Sequence, residues 1–454
     1  MKFFSMFFNY FRFCIVFFCA VVSYSISGQV LEIASPETNG MSTERLSHIN
    51  TVFSDYVAQG KLPGVVVLAA RNGKIVYHQA IGMSDMEQKT PMQTDNIFRI
   101  ASQTKAIVSV GIMMLQEEGK ILLSDNLSKY IPEFEHTKVA LALSEQRKKG
   151  NMNAHRIVKA KRQIRIRDLL THTAGIGYGY GPAKKKWEKA GIQGWYFAHR
   201  NEPVLETVKR MAKLPMDAHP GERYVYGYST DILGAVIEVV SGQSLDVFLK
   251  ERILDPLGMI DTHFYLPKSK ASRLSVVYSQ CNNNLLRAAD DGAPQFKWDD
   301  KEKCTGNNQT QGHYVNGPRV SFSGGAGLLS TSKDYAVFLQ MMLNNGVYNG
   351  TRILSRKSVE LMTANHLEGT YYKDVRFPWD WGVGFGLGFS VTTDVGDRGV
   401  LGSLGEYGWG GAYHSSYWVD PNENLIVVYF TQVAPINLDD HQKLRNLIYQ
   451  SIVD

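Results

Sequence analysis

The sequence predicts an α/β protein of the α+β kind: an antiparallel sheet built from both ends of the chain, flanked by helices, with a mostly helical lobe inserted between them. Three observations carry this. GVVVLAA (64–70), the tripeptide RNG and KIVYHQAIG (74–82) read as two β-runs around a turn. Near the other end, AYHSSYWVD and LIVVYFTQV flank a turn at Pro421-Asn422-Glu423-Asn424. Between them, apolar residues recur at helical spacing over about 103–118, 231–242, 244–259 and 331–346. The sheet lobe is thus expected over about 40–120 and 320–454, and the helical lobe over about 121–319.

In chain order, residues 1–27 stand apart from the rest. They carry Lys2 and Arg12, no acids, and an apolar run from Cys14 to Val22, followed by the small residues Ser25 and Ser27. This pattern reads as a secretory signal peptide, so the expected location is periplasmic or extracellular, with residues 28–454 as the mature domain. The run is short for a membrane span, which needs ~20 residues. The helix at 103–118 is stopped by Gly119, and KYIPEF (129–134) leaves that unit through a proline. Residues 138–167 hold ten Lys or Arg and the single acid Glu145. They read as a solvated insertion, with weak contact to an anionic envelope polymer as the alternative. QIRIRDLL (163–170) opens with strand alternation and ends in a helix start, residues 275–320 are polar enough for a long excursion, and a last helix is expected at about 439–452.

Composition narrows the function. The chain has 454 residues, 44% hydrophobic and 20% charged, which is that of a packed globular protein. A net charge of +6 does not suggest a nucleic-acid surface. Outside the first 27 residues only Cys281 and Cys304 remain. In an oxidising compartment they could close a loop, and spacing alone leaves that open. H-E-x-x-H and paired C-x-x-C are absent, which leaves a metal site without support. So is G-x-S-x-G; Leu401-Gly402-Ser403-Leu404-Gly405 lacks its first glycine. GGAG (324–327) lacks the flanks of a phosphate loop and reads as close backbone packing. No cofactor is called for.

The stretch FRIASQTKAIVSVGIMML (98–115) carries the chemistry. Burial of a helix explains its apolar residues but not Ser102 and Lys105, which stand three apart and therefore share a face. A serine hydroxyl is a weak nucleophile until a neighbouring base takes its proton. A lysine can do so when burial and nearby positive charge favour its neutral form. A helix N-terminus adds backbone N–H groups and a partial positive charge for an oxyanion. Taken alone, the pair also fits a helix cap beside an exposed lysine.

Five co-linear blocks decide between these readings. FRIASQTKAIVSVGIMMLQEEGKILLSDNLSKYIPEF, IRIRDLLTHTAGIGYG, PGERYVYGYSTDILGAVIEVVSGQSLDVFLKERILDPLGM, SFSGGAGLLSTSKDYAVFLQMMLNNG and YGWGGAYHSSYWVDPNENLIVVYFTQ together resemble the serine β-lactamase and penicillin-binding-protein superfamily, in its class C β-lactamase-like branch. The resemblance implies a β-lactamase-like fold with the site between the lobes. It implies Ser102 as the nucleophile that forms an acyl-enzyme, Lys105 as its activating partner and Tyr226 as the catalytic tyrosine. A phenol can shuttle a proton when a nearby cation stabilises its phenolate. Trp409-Gly410-Gly411 stands at the third family motif, with the N–H of Ala412 as second oxyanion donor beside that of Ser102. His172 matches a position that braces the fold.

Two departures bear on substrate. The second motif, Tyr-x-Asn in β-lactamases, is here Tyr226-Gly227-Tyr228, which puts Tyr228 among the expected substrate-binding residues. The lysine that meets a substrate carboxylate is replaced by Trp409. A charge-assisted hydrogen bond is worth about 1.5–3 kcal/mol, or roughly ten- to a hundredfold in transition-state binding. Both changes resemble the family's esterases and acyltransferases and favour a small neutral ester or amide. A D-alanyl-D-alanine carboxypeptidase, a D-aminopeptidase or a β-lactamase is the alternative, and a non-catalytic binding protein is a third.

Overall fold

The computed structural model describes residues 30–143, 154–281, 284–288, 312–367, 381–434 and 438–454. The expected signal peptide, Cys304 and the centre of the basic segment lie outside the described residues. Eight strands form the path of the main sheet: β1 (Glu32–Ile33), β2 (Gly64–Arg71), β3 (Lys74–Asp85), β4 (Val383–Phe385), β5 (Ser390–Thr392), β6 (Tyr407–Gly410), β7 (Ser416–Asp420) and β8 (Leu425–Phe430). Their order is β1-β3-β2-β8-β7-β6-β5-β4, and a short strand at Thr90–Pro91 adds to β3. The two ends of the chain join where β2 pairs antiparallel with β8, from Val66↔Phe430 to Arg71↔Leu425. Every pairing on the path is antiparallel except that of β1, which runs parallel to β3. That edge strand lies ahead of the expected sheet lobe and makes the sheet mixed.

The unbroken apolar runs of β2 and β8 follow from burial on both faces. Side chains alternate along a strand. Val66, Leu68 and Ala70 with Ile426, Val428 and Phe430 therefore enter one core, while Val65, Val67 and Ala69 with Leu425, Val427 and Tyr429 enter another. Each buried large aliphatic side chain of this central pair contributes about 1.5–3 kcal/mol. The second core is closed by α1 (Thr43–Ala58) and a C-terminal helix, Asp440–Tyr449. The first core is shared by α2 (Thr104–Glu117), α3 (Ser229–Ser241), α4 (Ser332–Leu343) and the rest of the helical region. The C-terminal helix is α5 below. Residues 104–115 of α2 are all buried, which is why that helix is apolar all round. Thr331 caps α4 by accepting from the Asp334 N–H.

Local differences from expectation have local causes. The helix expected over 244–259 is broken into Leu245–Leu249, a wide five-residue turn at Lys250–Leu254 and Asp255–Leu257. Pro256 has no N–H to offer the carbonyl one turn earlier. The described part of the basic segment is a hairpin, Lys138–Ala142 with His155–Lys159, whose second strand is largely solvent-facing. The strand expected from residue 412 begins only at Ser416, because residues 411–415 form a turn with His414 at φ +65°. The sequence reading did not mark β4 and β5. Their turn lies against α2, where a Cβ on Gly388 (φ +99°) would approach the Ser109 hydroxyl to 2.5 Å. Glycine at this close approach removes the apolar alternation that marks a strand.

Candidate active site

The turn that presents Ser102 is short and strained. Residues 101–103 form a single 3₁₀ turn ahead of α2, and Ala101 holds φ +43°, a left-handed conformation rare for a residue with a Cβ. Ser102 therefore stands one turn before α2 rather than within it, on the wall of a cavity of about 790 Å³. Lys105 in the first turn of α2 is 2% exposed. Its Nζ donates to Ser102 Oγ at 3.1 Å, to Tyr178 Oη at 3.2 Å and to the Gly325 carbonyl at 2.7 Å. These three contacts fix the amine beside the serine hydroxyl.

The expected Tyr226 is beside this pair. Lys105 Nζ lies 4.6 Å from its ring centroid, a cation–π contact. Its hydroxyl accepts from Trp409 Nε1 at 3.1 Å. Trp409 thus reaches the cavity with its indole N–H committed to the tyrosine. His172 is buried with its ring 4.7 Å from that of Tyr226. Burial, and then the Lys105 charge, hold its imidazole well below the usual histidine range. It is a neutral packing partner here.

Gly410 ends β6 opposite Ser416, and Gly411 donates its N–H to the Ser415 carbonyl at 2.7 Å. A Cβ on Gly411 would stand 2.6 Å from the Ile100 carbonyl, so only glycine lets this loop pack on the segment before Ser102. Ala412 and Ser102 both line the cavity, and among the described residues no backbone carbonyl takes up the Ala412 N–H. Tyr228 is a correction. It is absent from the cavity wall: fully buried, it stacks on Trp187 and donates its hydroxyl to the Gly194 carbonyl at 2.7 Å. Tyr228 stands at the N-cap of α3, immediately before Ser229, and its side chain is buried in the core.

Sequence reasoning missed three participants. Tyr178 supplies a second phenol to Lys105 from 73 residues away. It lies in a quoted block, IRIRDLLTHTAGIGYG, yet nothing local set it apart from the other tyrosines. Burial first, then its tyrosine and aspartate neighbours, push its hydroxyl well above the usual range. The Gly325 carbonyl belongs to GGAG, where a Cβ would meet Asp231 Oδ2 at 2.3 Å. Asp231, buried in α3, accepts from Ser323 Oγ at 2.5 Å and from Gly325 N–H at 3.0 Å, which aims that carbonyl at Lys105. Near the serine the wall is aromatic, with Tyr180, Trp195 and Tyr224 joining Tyr178, Tyr226 and Trp409, and its far side carries polar and charged groups such as Arg398, Glu406, His414 and Arg445.

One described cluster has metal-ligand residue types: His414, Asp440 and His441 offer atoms within 4.8 Å of one another. The two rings stack face to face at 4.2 Å and 18°, and His414 Nε2 bonds both Asp440 oxygens at 2.8 and 3.0 Å. Stacked rings do not aim two nitrogens at one ion, and the contacts are those of a hydrogen-bonded clasp.

Comparison with known proteins identifies the family. The Beta-lactamase family matches residues 49–450. Protein Rv1367c of Mycobacterium tuberculosis H37Rv is 33% identical over 388 residues, covering 83% of this chain and 87% of that protein. A "Putative D-alanyl-D-alanine carboxypeptidase" of Escherichia coli K12 is 28% identical over 438 residues, 94% of this chain and 92% of its own length. Esterase EstB of Burkholderia gladioli is 27% identical over 401 residues, 86% and 90%. Among solved structures, "EstCE1, a hydrolase with promiscuous acyltransferase activity" superposes with a TM-score of 0.73 at 25% identity, covering 89% of this chain and 98% of that one. A strained serine turn, a lysine one helical turn on and a match across most of the chain lead to one conclusion: this protein belongs to the beta-lactamase family and is an enzyme of its serine-hydrolase type.

Proposed function

We propose that the protein is an exported carboxylesterase or acyltransferase that works through an acyl-enzyme on Ser102. The observation that carries this is the Lys105 Nζ–Ser102 Oγ contact of 3.1 Å at the wall of an aromatic cavity, where Trp409 stands at the position of a carboxylate-binding lysine. Ser102 Oγ attacks the ester carbonyl as its proton passes to the Lys105–Tyr226 pair. The carbonyl oxygen becomes an oxyanion between the N–H groups of Ser102 and Ala412. Collapse expels the alcohol, which takes up the proton, and the acyl group stays on Ser102. Water or a second alcohol then attacks the acyl-enzyme by the reverse proton route, giving acid or a new ester.

Support comes from the EstB and EstCE1 likenesses and from the neutral Trp409 edge. The carboxypeptidase reading keeps one argument, the Escherichia coli relative spanning 94% of this chain. The leader-like residues 1–27 support export. The test is hydrolysis of a short-chain p-nitrophenyl ester by the mature protein, by Ser102→Ala and alongside a chromogenic cephalosporin and an N-acyl-D-Ala-D-Ala peptide. Ester turnover lost in Ser102→Ala, with slow cephalosporin and peptide turnover, is the expected result. Equal slowness of wild type and Ser102→Ala on the ester refutes the esterase, and rapid peptide cleavage replaces it with the carboxypeptidase.

A further inference from the structure

The turn that carries Ala412 is anchored at the far end of the cavity, where His414 and His441 also line its wall. Residues 411–415 connect β6 to β7 and hold themselves by two internal bonds, Gly411 N–H to Ser415 O at 2.7 Å and His414 N–H to Gly411 O at 3.0 Å. On the inner side Gly411 abuts the Ile100 carbonyl. His414 adopts φ +65°, a conformation costly to any residue with a Cβ and cheap for glycine. A histidine kept there calls for a compensating contact.

That contact is present. His414 Nε2 bonds both carboxylate oxygens of Asp440, at 2.8 and 3.0 Å, and the His414 carbonyl meets His441 Nε2 at 3.2 Å. Asp440 is fully buried at the first position of α5, where the helix dipole favours an anion, and it also accepts from Tyr429 Oη of β8 at 2.5 Å. The anchor is therefore tied to a central strand and to a helix, and it grips the turn at ring and backbone alike.

We propose that His414 is a positioning residue: its bond to Asp440 holds the turn 411–415 against the nucleophile segment and so sets where the Ala412 N–H points. This rests on the reading of Ala412 as an oxyanion donor. A donor displaced by a fraction of an ångström loses most in the transition state, because charge on the carbonyl oxygen develops only there. The loss then falls on kcat, whereas direct contact of His414, itself on the cavity wall, with substrate would raise KM instead.

The experiment uses the full mature chain and a p-nitrophenyl ester, with His414→Ala, His414→Gly and His414→Gln, and with Ser102→Ala as reference. His414→Gly relieves the backbone and removes the ring; His414→Gln restores an N–H that reaches Asp440. Expected are kcat losses of ~10- to 100-fold in His414→Ala and His414→Gly with KM within ~3-fold, and recovery to within ~5-fold of wild type in His414→Gln. The affinity of a boronic acid, which mimics the tetrahedral adduct on serine, should fall in step with kcat/KM. Unchanged kcat in folded His414→Ala and His414→Gly overturns the proposal, as does a loss that tracks only the unfolded fraction in a urea titration. Activity surviving in Ser102→Ala would instead overturn the acyl-enzyme reading itself.

Discussion

Two phenols flank Lys105, and their replacement by phenylalanine separates their roles. Tyr178 Oη bonds Lys105 Nζ at 3.2 Å, and the lysine keeps two other acceptors when that hydroxyl is removed. A long hydrogen bond to a charged donor is worth about 1.5 kcal/mol, so Tyr178→Phe should cost kcat/KM ~10-fold. Tyr226→Phe keeps the ring that contacts Lys105 at 4.6 Å but removes the hydroxyl of the Lys105–Tyr226 pair proposed to take the proton. General acid–base groups contribute ~10²–10⁴-fold, so a loss of ~10³-fold is expected there. The assay is steady-state hydrolysis of a p-nitrophenyl ester, with thermal melting to confirm that both variants fold. If Tyr178→Phe were as slow as Tyr226→Phe, the proton carrier would be the phenol bonded to Lys105, and the role carried onto Tyr226 by family resemblance would move to Tyr178.

Three further outcomes follow from single contacts. Gly411→Ala puts a methyl 2.6 Å from the Ile100 carbonyl, and overpacking of ~1–3 kcal/mol with displacement of the loop should lower kcat by ~10²-fold; unaltered kinetics would mean that the loop lies elsewhere. Glu406 is buried between Arg445 (2.6 and 2.8 Å), Arg398 (2.8 Å) and the Tyr449 hydroxyl (2.7 Å), so Glu406→Gln should cost ~3–5 kcal/mol in urea denaturation; a change under ~1 kcal/mol contradicts that. Burial pushes the Asp217 carboxyl up to about 6 against the pull of Arg223. The folded protein then holds that proton more tightly than the unfolded chain, so stability from this group is present below pH ~4 and is lost as pH rises through about 6. Asp217→Asn should therefore gain on the parent by on the order of 2–3 kcal/mol at pH 7.5 and little at pH 4.5; a difference constant with pH refutes this.

Local physics explains what could be read in advance. Apolar β-runs within 64–82 and 412–433 and helical spacing at 103–118 and 331–346 depend on side chains within a few residues of one another. They recur as β2, β3, β7, β8, α2 and α4. The pairing of Ser102 with Lys105 is of the same kind, since three residues span one turn. Where the local signal is weak, the reading was silent or inexact. Glycines hid β4 and β5, and Pro256 split a helix whose apolar pattern runs through it.

By itself, then, the sequence determined the strongly patterned elements, the order in which they follow, the family and the serine–lysine pair, because each rests on near neighbours or on blocks matched in order. The tertiary structure alone decided which phenol hydrogen-bonds the lysine, that Trp409 spends its N–H on Tyr226, that Tyr228 leaves the site for the core, and that His414 is held by Asp440. Those partners are 73, 183, 34 and 26 residues apart. Periodicity tells which face of an element is buried, but the residue it meets there is chosen by how sheet and helices pack, and no local pattern encodes that choice.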